Sequence, residues 1–202
     1  MFNSELMKKL SDCFGPSGRE KAICEMILEE IKDYADEIST DALGNLTARK
    51  KGTGKKILFS AHMDQIGTII THVDKKGFLR FANVKENEKV TMGKLFIDVA
   101  STDKEFISKN FRVGDMCVFK TEYYETEDCV ICRAADDRIG CYILIEALKN
   151  HPETNNDVYY VFSVQEEVGL RGAKTAGYAV NPDLAIALDV TATGDTPDGI
   201  KM

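Results

Sequence analysis

The sequence predicts an α/β domain that is interrupted by a small, mostly β insertion. Apolar strand candidates alternate with helix candidates near both ends of the 202-residue chain, and this alternation is typical of layered α/β domains. The middle of the chain instead contains several short strand candidates in succession. The length suffices for one sizeable core, or for a core and a small second domain. We therefore expect residues 1–66 and 133–202 to form one discontinuous α/β domain, and residues 67–132 to form an inserted β domain.

The first α/β segment is predicted to contain a helix followed by two strands. Ser17 and Glu20 have the spacing of a capping box, in which two side chains accept hydrogen bonds from backbone N–H groups where a helix begins. The next residues place apolar side chains on one helical face, namely Ile23, Met26, Ile27, Ile31 and Tyr34. Residues 45–50 and 56–61 are strand-like, and the second run ends at His62.

The insertion is predicted from closely spaced strand candidates. Lys75-Lys76-Gly77 lies between two of them and is typical of a hairpin turn. One short helix candidate, residues 103–110, interrupts the series. The strand candidates are residues 66–73, 78–84, 95–99, 116–120 and 129–132.

The second α/β segment alternates two helices with two apolar strands. Residues 139–150 and 170–178 are the helix candidates, and residues 158–164 form a largely apolar strand candidate between them. Residues 184–188 form a further apolar strand candidate, which ends at Asp189. Helices between apolar strands indicate a sheet that is covered by helical layers.

The composition argues against two classes of partner. Thirty-three acidic residues outnumber 26 basic ones, the net charge is -7, and the lysines and arginines are scattered, so no nucleic-acid surface is predicted. No run approaches the roughly 18 apolar residues of a membrane span. The N-terminus lacks a basic segment followed by an apolar one. We therefore expect a cytoplasmic protein with neither a nucleic-acid nor a membrane partner.

The cysteines are expected to be buried free thiols rather than disulfides, because they lie in apolar stretches. Two of them, Cys129 and Cys132, have C-x-x-C spacing, but in a strand these positions face opposite sides. No second closely spaced pair exists to complete a zinc knuckle. The six cysteines are Cys13, Cys24, Cys117, Cys129, Cys132 and Cys141.

Acidic side chains and one histidine follow three of the apolar strands and precede one helix. In open α/β sheets, functional sites form outside the carboxyl ends of the strands, so these side chains are expected to converge. Adjacent carboxylates at a buried strand end repel each other unless a cation or a reaction requires them. The residues are His62 and Asp64, Asp136 and Asp137, Glu166 and Glu167, and Asp189.

Each of these residues also has an ordinary structural interpretation. A histidine after a strand can belong to the core or the surface, and an Asp-Asp-Arg sequence before a helix can cap it. A Glu-Glu pair can form a solvated turn, and an aspartate can cap a strand end. Their shared position at the ends of apolar runs favours a cation site, which would suit zinc, cobalt or manganese. A carboxylate that bridges two cations would make it a two-metal hydrolytic centre.

Several longer motifs resemble one known family. Residues 60–67, 136–141, 164–173 and 187–191 resemble the tetrahedral aminopeptidases, and residues 15–18 and 41–45 fit as well. These are the glutamyl and deblocking aminopeptidases, some of which were labelled endoglucanases or cellulase M. The resemblance spans nearly the whole chain. It implies a three-layer co-catalytic metallopeptidase fold, two divalent metal ions, peptide substrates and a homo-oligomer built from dimers, up to a dodecamer.

The resemblance also implies a role for individual side chains. The metal ligands would be His62 and Asp189 for the first ion, Glu167 for the second, and Asp136 as the bridge. Glu166 would be the general base, which takes a proton from the attacking water and passes it to the leaving amine. Asp64 would bind the other ring nitrogen of His62 and fix its tautomer. The ions would be zinc or cobalt, with manganese as an alternative, and the insertion is similar to the family's dimerisation domain.

The sequence departs from the family pattern in two places. The family completes its second metal site with a histidine far downstream, whereas the other histidines here, His72 and His151, match no such position. The insertion looks short at the polar junction of residues 85–89. We therefore expect that the C-terminal part of the α/β domain is missing and that the insertion is shortened, as if segments of a longer protein were omitted.

Two other functions stay open at this point. One is a different co-catalytic zinc amidohydrolase, such as a deacetylase or a carboxypeptidase-like enzyme. The other is a truncated, non-catalytic scaffold subunit that binds metal weakly. A glycosidase would also use paired carboxylates, but it would leave His62 without a role. The sequence does not specify the preferred N-terminal residue of a peptide substrate.

Overall fold

A computed structural model of the protein describes residues 2–84, 96–191 and 193–194. Its helices are α1 (Ser4–Asp12), α2 (Lys21–Ile31), α3 (Lys104–Asn110), α4 (Ala135–Lys149) and α5 (Arg171–Val180). Its strands are β1 (Glu37–Thr40), β2 (Leu46–Lys50), β3 (Lys56–His62), β4 (Gly67–Val73), β5 (Leu79–Val84), β6 (Met116–Cys117), β7 (Tyr124–Glu125), β8 (Val130–Ile131), β9 (Asp157–Ser163) and β10 (Leu184–Ala187).

In the part of the chain that the structure describes, the main sheet has five strands in the order β1-β2-β9-β3-β10. Strand β3 lies between β9 and β10 and is parallel to both, with His62 opposite Ser163 and Ala187 opposite Ser60. Strands β1 and β2 continue the sheet in antiparallel fashion. The three parallel strands therefore end at the same edge, as the α/β prediction requires.

Helices cover both faces of this sheet, so the domain has three layers. Along β9, Tyr160 and Phe162 pack into a core with α1, α2 and α4 on one face. Val161 points the other way and packs with Leu58 of β3 and Ala176 of α5. Because successive side chains of a strand alternate between faces, a strand that is apolar throughout can serve both cores.

The described residues of the insertion form a second sheet of three strands in the order β5-β4-β6 and a small β7-β8 ribbon. The predicted hairpin turn joins β4 to β5, where Asp74 accepts a hydrogen bond from the backbone N–H of Gly77 and Gly77 has a φ of 93°. That left-handed conformation favours glycine. The strand expected at residues 95–99 is reduced to a single bridge between Ile97 and Leu79, and residue 95 lies outside the described residues.

Among the described residues, three elements were not included in the sequence interpretation, namely α1, β1 and the two-residue strand β7. Helix α1 begins after Asn3, whose side chain accepts a hydrogen bond from the backbone N–H of Leu6, and it buries Leu6, Met7 and Leu10. Strand β1 is mostly exposed and pairs only with β2. An Asn cap followed by apolar residues three and four apart was a usable signal for α1.

The cysteines are all free, as predicted, but the expectation that they are buried holds only for Cys141. Cys129 is exposed, because it lies in the turn between the short strands β7 and β8 rather than in a packed strand. Among the described residues, no helix combines the length and the apolar character that a membrane span requires.

Candidate active site

The polar residues singled out in the sequence meet at the edge where the three parallel strands end. His62 is the last residue of β3, Glu166 and Glu167 follow β9, and Asp189 follows β10. Asp136 lies at the beginning of α4, which packs against β3. Parallel strand ends and a helix start therefore bring together side chains that are far apart along the chain.

Three carboxylates from three elements surround one ring nitrogen of His62. Its Nε2 atom lies 2.9 Å from Asp136 Oδ1, 3.8 Å from Glu166 Oε2 and 4.0 Å from Asp189 Oδ1. The His62 side chain is 3% exposed, whereas those of Asp136 and Asp189 are about half-exposed. The imidazole thus forms the floor of the site, and the carboxylates form its open rim.

Two neighbouring aspartates approach the same place, but they differ in their partners. Asp137 is fully buried, and its two oxygens accept hydrogen bonds from the backbone N–H groups of His62, at 3.2 Å, and Gly140, at 3.1 Å. Asp137, His62 and Asp189 also place one ligand atom each within 4.8 Å of one another. The peptide bond between Asp136 and Asp137 is cis. Each Asp137 oxygen thus accepts one backbone N–H, whereas Asp136 Oδ1 faces the ring nitrogen of His62.

Asp64 has more partners than the sequence predicted. The closest acceptor to His62 Nδ1 is the backbone carbonyl of Asp64, at 3.1 Å, and the carboxylate Oδ1 lies 3.4 Å from that nitrogen. The carboxylate also accepts hydrogen bonds from the backbone N–H groups of Glu166, at 3.0 Å, and Glu167, at 3.2 Å. This fully buried group therefore holds both His62 and the backbone of the Glu-Glu pair.

The predicted capping box is wrong, because both of its residues bind elsewhere. Ser17 Oγ donates a hydrogen bond to Asp64 Oδ2 at 2.6 Å. Glu20 Oε1 accepts hydrogen bonds from the backbone N–H of Gly18, at 2.6 Å, and of Gln165, at 3.2 Å. Helix α2 has no side-chain cap. Both residues instead support the loop that carries Glu166, which local sequence spacing does not indicate.

The loop after β9 turns sharply to present the two glutamates. Gln165 and Leu170 have φ values of 55° and 57°, and the Glu166 carbonyl accepts hydrogen bonds from the N–H groups of Gly169 and Leu170, both at 2.9 Å. Gly172 follows at the start of α5, where an added Cβ would lie less than 3.0 Å from the Asn45 side chain and the Val164 backbone. Only glycine fits this close approach.

The site carries far more negative than positive charge, and the pKa values of its groups reflect this. Burial alone lowers the pKa of His62, but hydrogen bonds to Asp136 and Asp64 raise that pKa to about 11. Burial raises the pKa of Asp137 to about 7, and burial likewise raises the pKa of Glu166. An excess of carboxylates around one imidazole matches the donor set that divalent cations such as zinc accept.

The two remaining histidines do not reach this site. His151 lies after α4, and its Nδ1 atom is 2.9 Å from the Tyr160 hydroxyl. His72 lies in β4 of the insertion. Within residues 2–84, 96–191 and 193–194, His62 is the only histidine in a cluster that could hold a metal ion.

Comparisons with known proteins identify relatives of the whole chain. A family model described as M42 glutamyl aminopeptidase matches residues 44–85 and 82–202. A protein of Acetivibrio thermocellus, provisionally named an aminopeptidase, is 42% identical over 98% of this chain and 69% of its own length. The solved aminopeptidase APDkam598 of the archaeon Desulfurococcus kamchatkensis is 34% identical, with a TM-score of 0.90 over 98% of this chain and 65% of that one.

A further solved relative is the TET1 peptidase of Pyrococcus horikoshii, described as able to assemble into a tetrahedron or a large octahedral shell. It is 32% identical, with a TM-score of 0.84 over 96% of this chain and 72% of that one. This chain thus spans about two thirds of the length of the relatives it matches. The alignment with the Acetivibrio protein runs over 227 positions, more than the 202 residues here, so that relative contains residues without a counterpart in this chain.

Proposed function

The chain belongs to the M42 glutamyl aminopeptidase family, and on that premise we propose that it removes N-terminal residues from peptides with the help of two divalent metal ions. The observation that carries this proposal is the convergence of Asp136, Glu166 and Asp189 on His62 Nε2, within 4.0 Å. A peptidase of this kind needs side chains that bind a cation. It also needs a separate carboxylate that can accept and release a proton. The side chains around His62 can supply both.

The first ion would be held by His62 and Asp189, with Asp136 shared between the two ions. Glu167 would hold the second ion. The described residues offer only carboxylates to that second ion, so its affinity should be lower than that of the first. When bound, zinc or cobalt would polarise the substrate carbonyl and lower the pKa of the attacking water. Manganese is also compatible with this carboxylate-rich set.

Glu166 would act as the general base. Its carboxylate lies 3.8 Å from His62 Nε2, and burial raises its pKa, which makes it a stronger base than an exposed glutamate. Its backbone N–H is bound by Asp64. The buried carboxylate of Asp64 would therefore position both the metal ligand His62 and the base Glu166. Replacing Asp64 can then affect catalysis as strongly as replacing a metal ligand.

The proposal is tested by metal analysis together with a panel of aminoacyl-p-nitroanilides, with zinc, cobalt or manganese added. We expect up to two ions per chain and release of the N-terminal residue. The Glu166→Gln variant should lose turnover while its metal content stays nearly unchanged, and Glu153→Gln, at an exposed glutamate, is the matched control. Loss of both ions in Glu166→Gln would contradict the general-base role. Hydrolysis of N-acetylated substrates would favour a different amidohydrolase.

A non-catalytic scaffold subunit is the second candidate function. It is favoured by one observation, namely that His72 and His151 lie outside the cluster around His62. One ion or none per chain, with no hydrolysis of any substrate in the panel, would favour this candidate over the aminopeptidase.

We also propose that residues 67–132 form a dimerisation domain within a homo-oligomer. Apolar side chains are exposed there, including those of Val113, Phe119 and Tyr124, and large apolar groups outside a core are typical of interaction surfaces. The assembly of the related Pyrococcus horikoshii peptidase supports this proposal. Light scattering should give a mass of at least a dimer, and Phe119→Ser should reduce it. Six free cysteines are consistent with a reducing, cytoplasmic location.

A further inference from the structure

The C-terminal end of helix α1 is tied to the segment of the chain that carries Asp136. A helix leaves its last four carbonyl groups without partners inside the helix. Two of these in α1, the carbonyls of Ser11 and Asp12, accept hydrogen bonds from Nε of Arg133, at 3.4 Å, and from its Nη2. Ser11 Oγ in turn donates a hydrogen bond to the carbonyl of Arg133. The contact runs in both directions, so it fixes the backbone of Arg133 as well as its side chain.

Arg138 binds the other two of these carbonyls from the far side of Asp136. Its Nη1 donates hydrogen bonds to the carbonyls of Leu10 and, at 3.3 Å, of Cys13, and the residue is fully buried. A cation is favoured at this end of a helix, because the helix dipole is negative there. Arg133 lies three residues before Asp136 and Arg138 lies two residues after it. Both sides of this short segment are therefore fastened to the same helix end.

The backbone around Asp136 needs this support, because it is not a regular helix. Ala134 has a φ of 56° and a ψ of 33°, a left-handed conformation that a residue with a Cβ keeps only where its surroundings impose it. Asp136 and Asp137 also have non-helical dihedral angles. The Asp136 side chain is 54% exposed, so little packing holds it near His62 Nε2. The position of its carboxylate therefore depends on where its backbone is held.

We propose that Arg133 is a positioning residue, which raises the affinity of the metal site by holding the backbone before Asp136 against α1. This inference rests on the proposed function, in which Asp136 is shared between two ions, and it adds a residue that binds neither ion. Arg133 lines the same cavity of about 370 Å³ as Asp136 and Glu167, so its positive charge lies close to the proposed ions. The charge alone would repel a cation. Positioning and charge therefore predict effects of opposite sign when Arg133 is replaced.

The first experiment measures the zinc affinity of metal-free Arg133→Met by competition with a chromogenic chelator, at a temperature where circular dichroism shows folded protein. We expect about tenfold weaker binding than in the wild type, a loss typical of residues that orient a metal ligand. Ser11→Ala removes a contact to Arg133 but no charge, and it should weaken zinc binding in the same direction. Arg112→Met, at an exposed arginine of the insertion, is the control and should leave the affinity unchanged. Unchanged or tighter binding to Arg133→Met would overturn the proposal.

A double-mutant cycle tests whether Arg133 acts through Asp136. In Asp136→Ala, zinc is left with ligands that this segment does not carry, so adding Arg133→Met should weaken zinc binding no further. The relief of charge should instead leave the affinity equal or slightly higher. A loss as large as in the wild-type background would overturn the proposal, because Arg133 would then act on another part of the site.

Hydrolysis of aminoacyl-p-nitroanilides by the wild type separates this inference from the proposed function. A wild type that binds zinc more tightly than Arg133→Met but hydrolyses no substrate would refute the proposed aminopeptidase alone. An active wild type whose zinc affinity equals that of Arg133→Met would refute the role of Arg133 alone. A wild type that binds no zinc would refute both.

Discussion

Replacing Asp64 by asparagine tests how the site is held together, because the two side chains have nearly the same shape. In the structure, Asp64 Oδ1 accepts a hydrogen bond from the N–H of Glu166 and Oδ2 accepts one from the N–H of Glu167. An asparagine has only one oxygen, so one of these N–H groups loses its acceptor in either orientation of the amide. The remaining hydrogen bonds are also weaker, because the asparagine side chain carries no negative charge.

A hydrogen bond to a charged group contributes about 1.5–3 kcal/mol, so the free energy of unfolding should fall by at least that amount. For a chain of this size, the melting temperature should fall by roughly 3–12 °C. Urea denaturation of Asp64→Asn in the presence of a chelator measures the loss without interference from metal binding. The control is Asp12→Asn, at an exposed ion pair with Lys8, where the expected change is about 0–1 kcal/mol. Equal losses in the two variants would refute the reasoning.

Two further predictions concern charge and packing. In metal-free protein, the raised pKa values of Asp137, about 7, and His62, about 11, mean that the folded state binds these protons more tightly than the unfolded state. Their contribution to stability is therefore lost as the pH rises from 3.8 through 7 for Asp137 and from 6.5 through 11 for His62. Melting curves with a chelator should show this fall, and a rise across the same window would contradict it. Gly172→Ala should destabilise the protein by about 1–3 kcal/mol through overpacking against Asn45, whereas Gly177→Ala, with open space in the same helix, should be neutral or stabilising by thermal melting.

The sequence was informative wherever a local pattern determines the structure. The apolar runs predicted β3, β9 and β10 to within a residue or two, and the ends of these strands predicted that His62, Glu166 and Asp189 would converge. The hairpin turn at Gly77 also follows from local chemistry, because few other residues adopt its conformation.

The sequence was uninformative where a residue's partner comes from a distant part of the chain. Ser17 and Glu20 satisfy a local capping rule, yet Ser17 binds Asp64 and Glu20 binds the backbone of Gln165, 145 residues away. Gln65 attracted no notice either, because nothing in its neighbours along the chain indicates that its amide is buried and unpaired. Such contacts depend on tertiary packing, which overrides local preference.

Strand β10 has a consequence for the timing of motions at the site. Within the described residues it is an edge strand of four exposed residues that pairs with β3. Asp189 lies two residues after its end. Short, exposed edge elements open locally at a much lower free energy than central strands. His62, at the end of the central strand β3, is by contrast part of the buried core. Hydrogen exchange should therefore be faster at the amides of β10 than at those of β3. Local opening of β10 is therefore expected to move Asp189 more readily than His62.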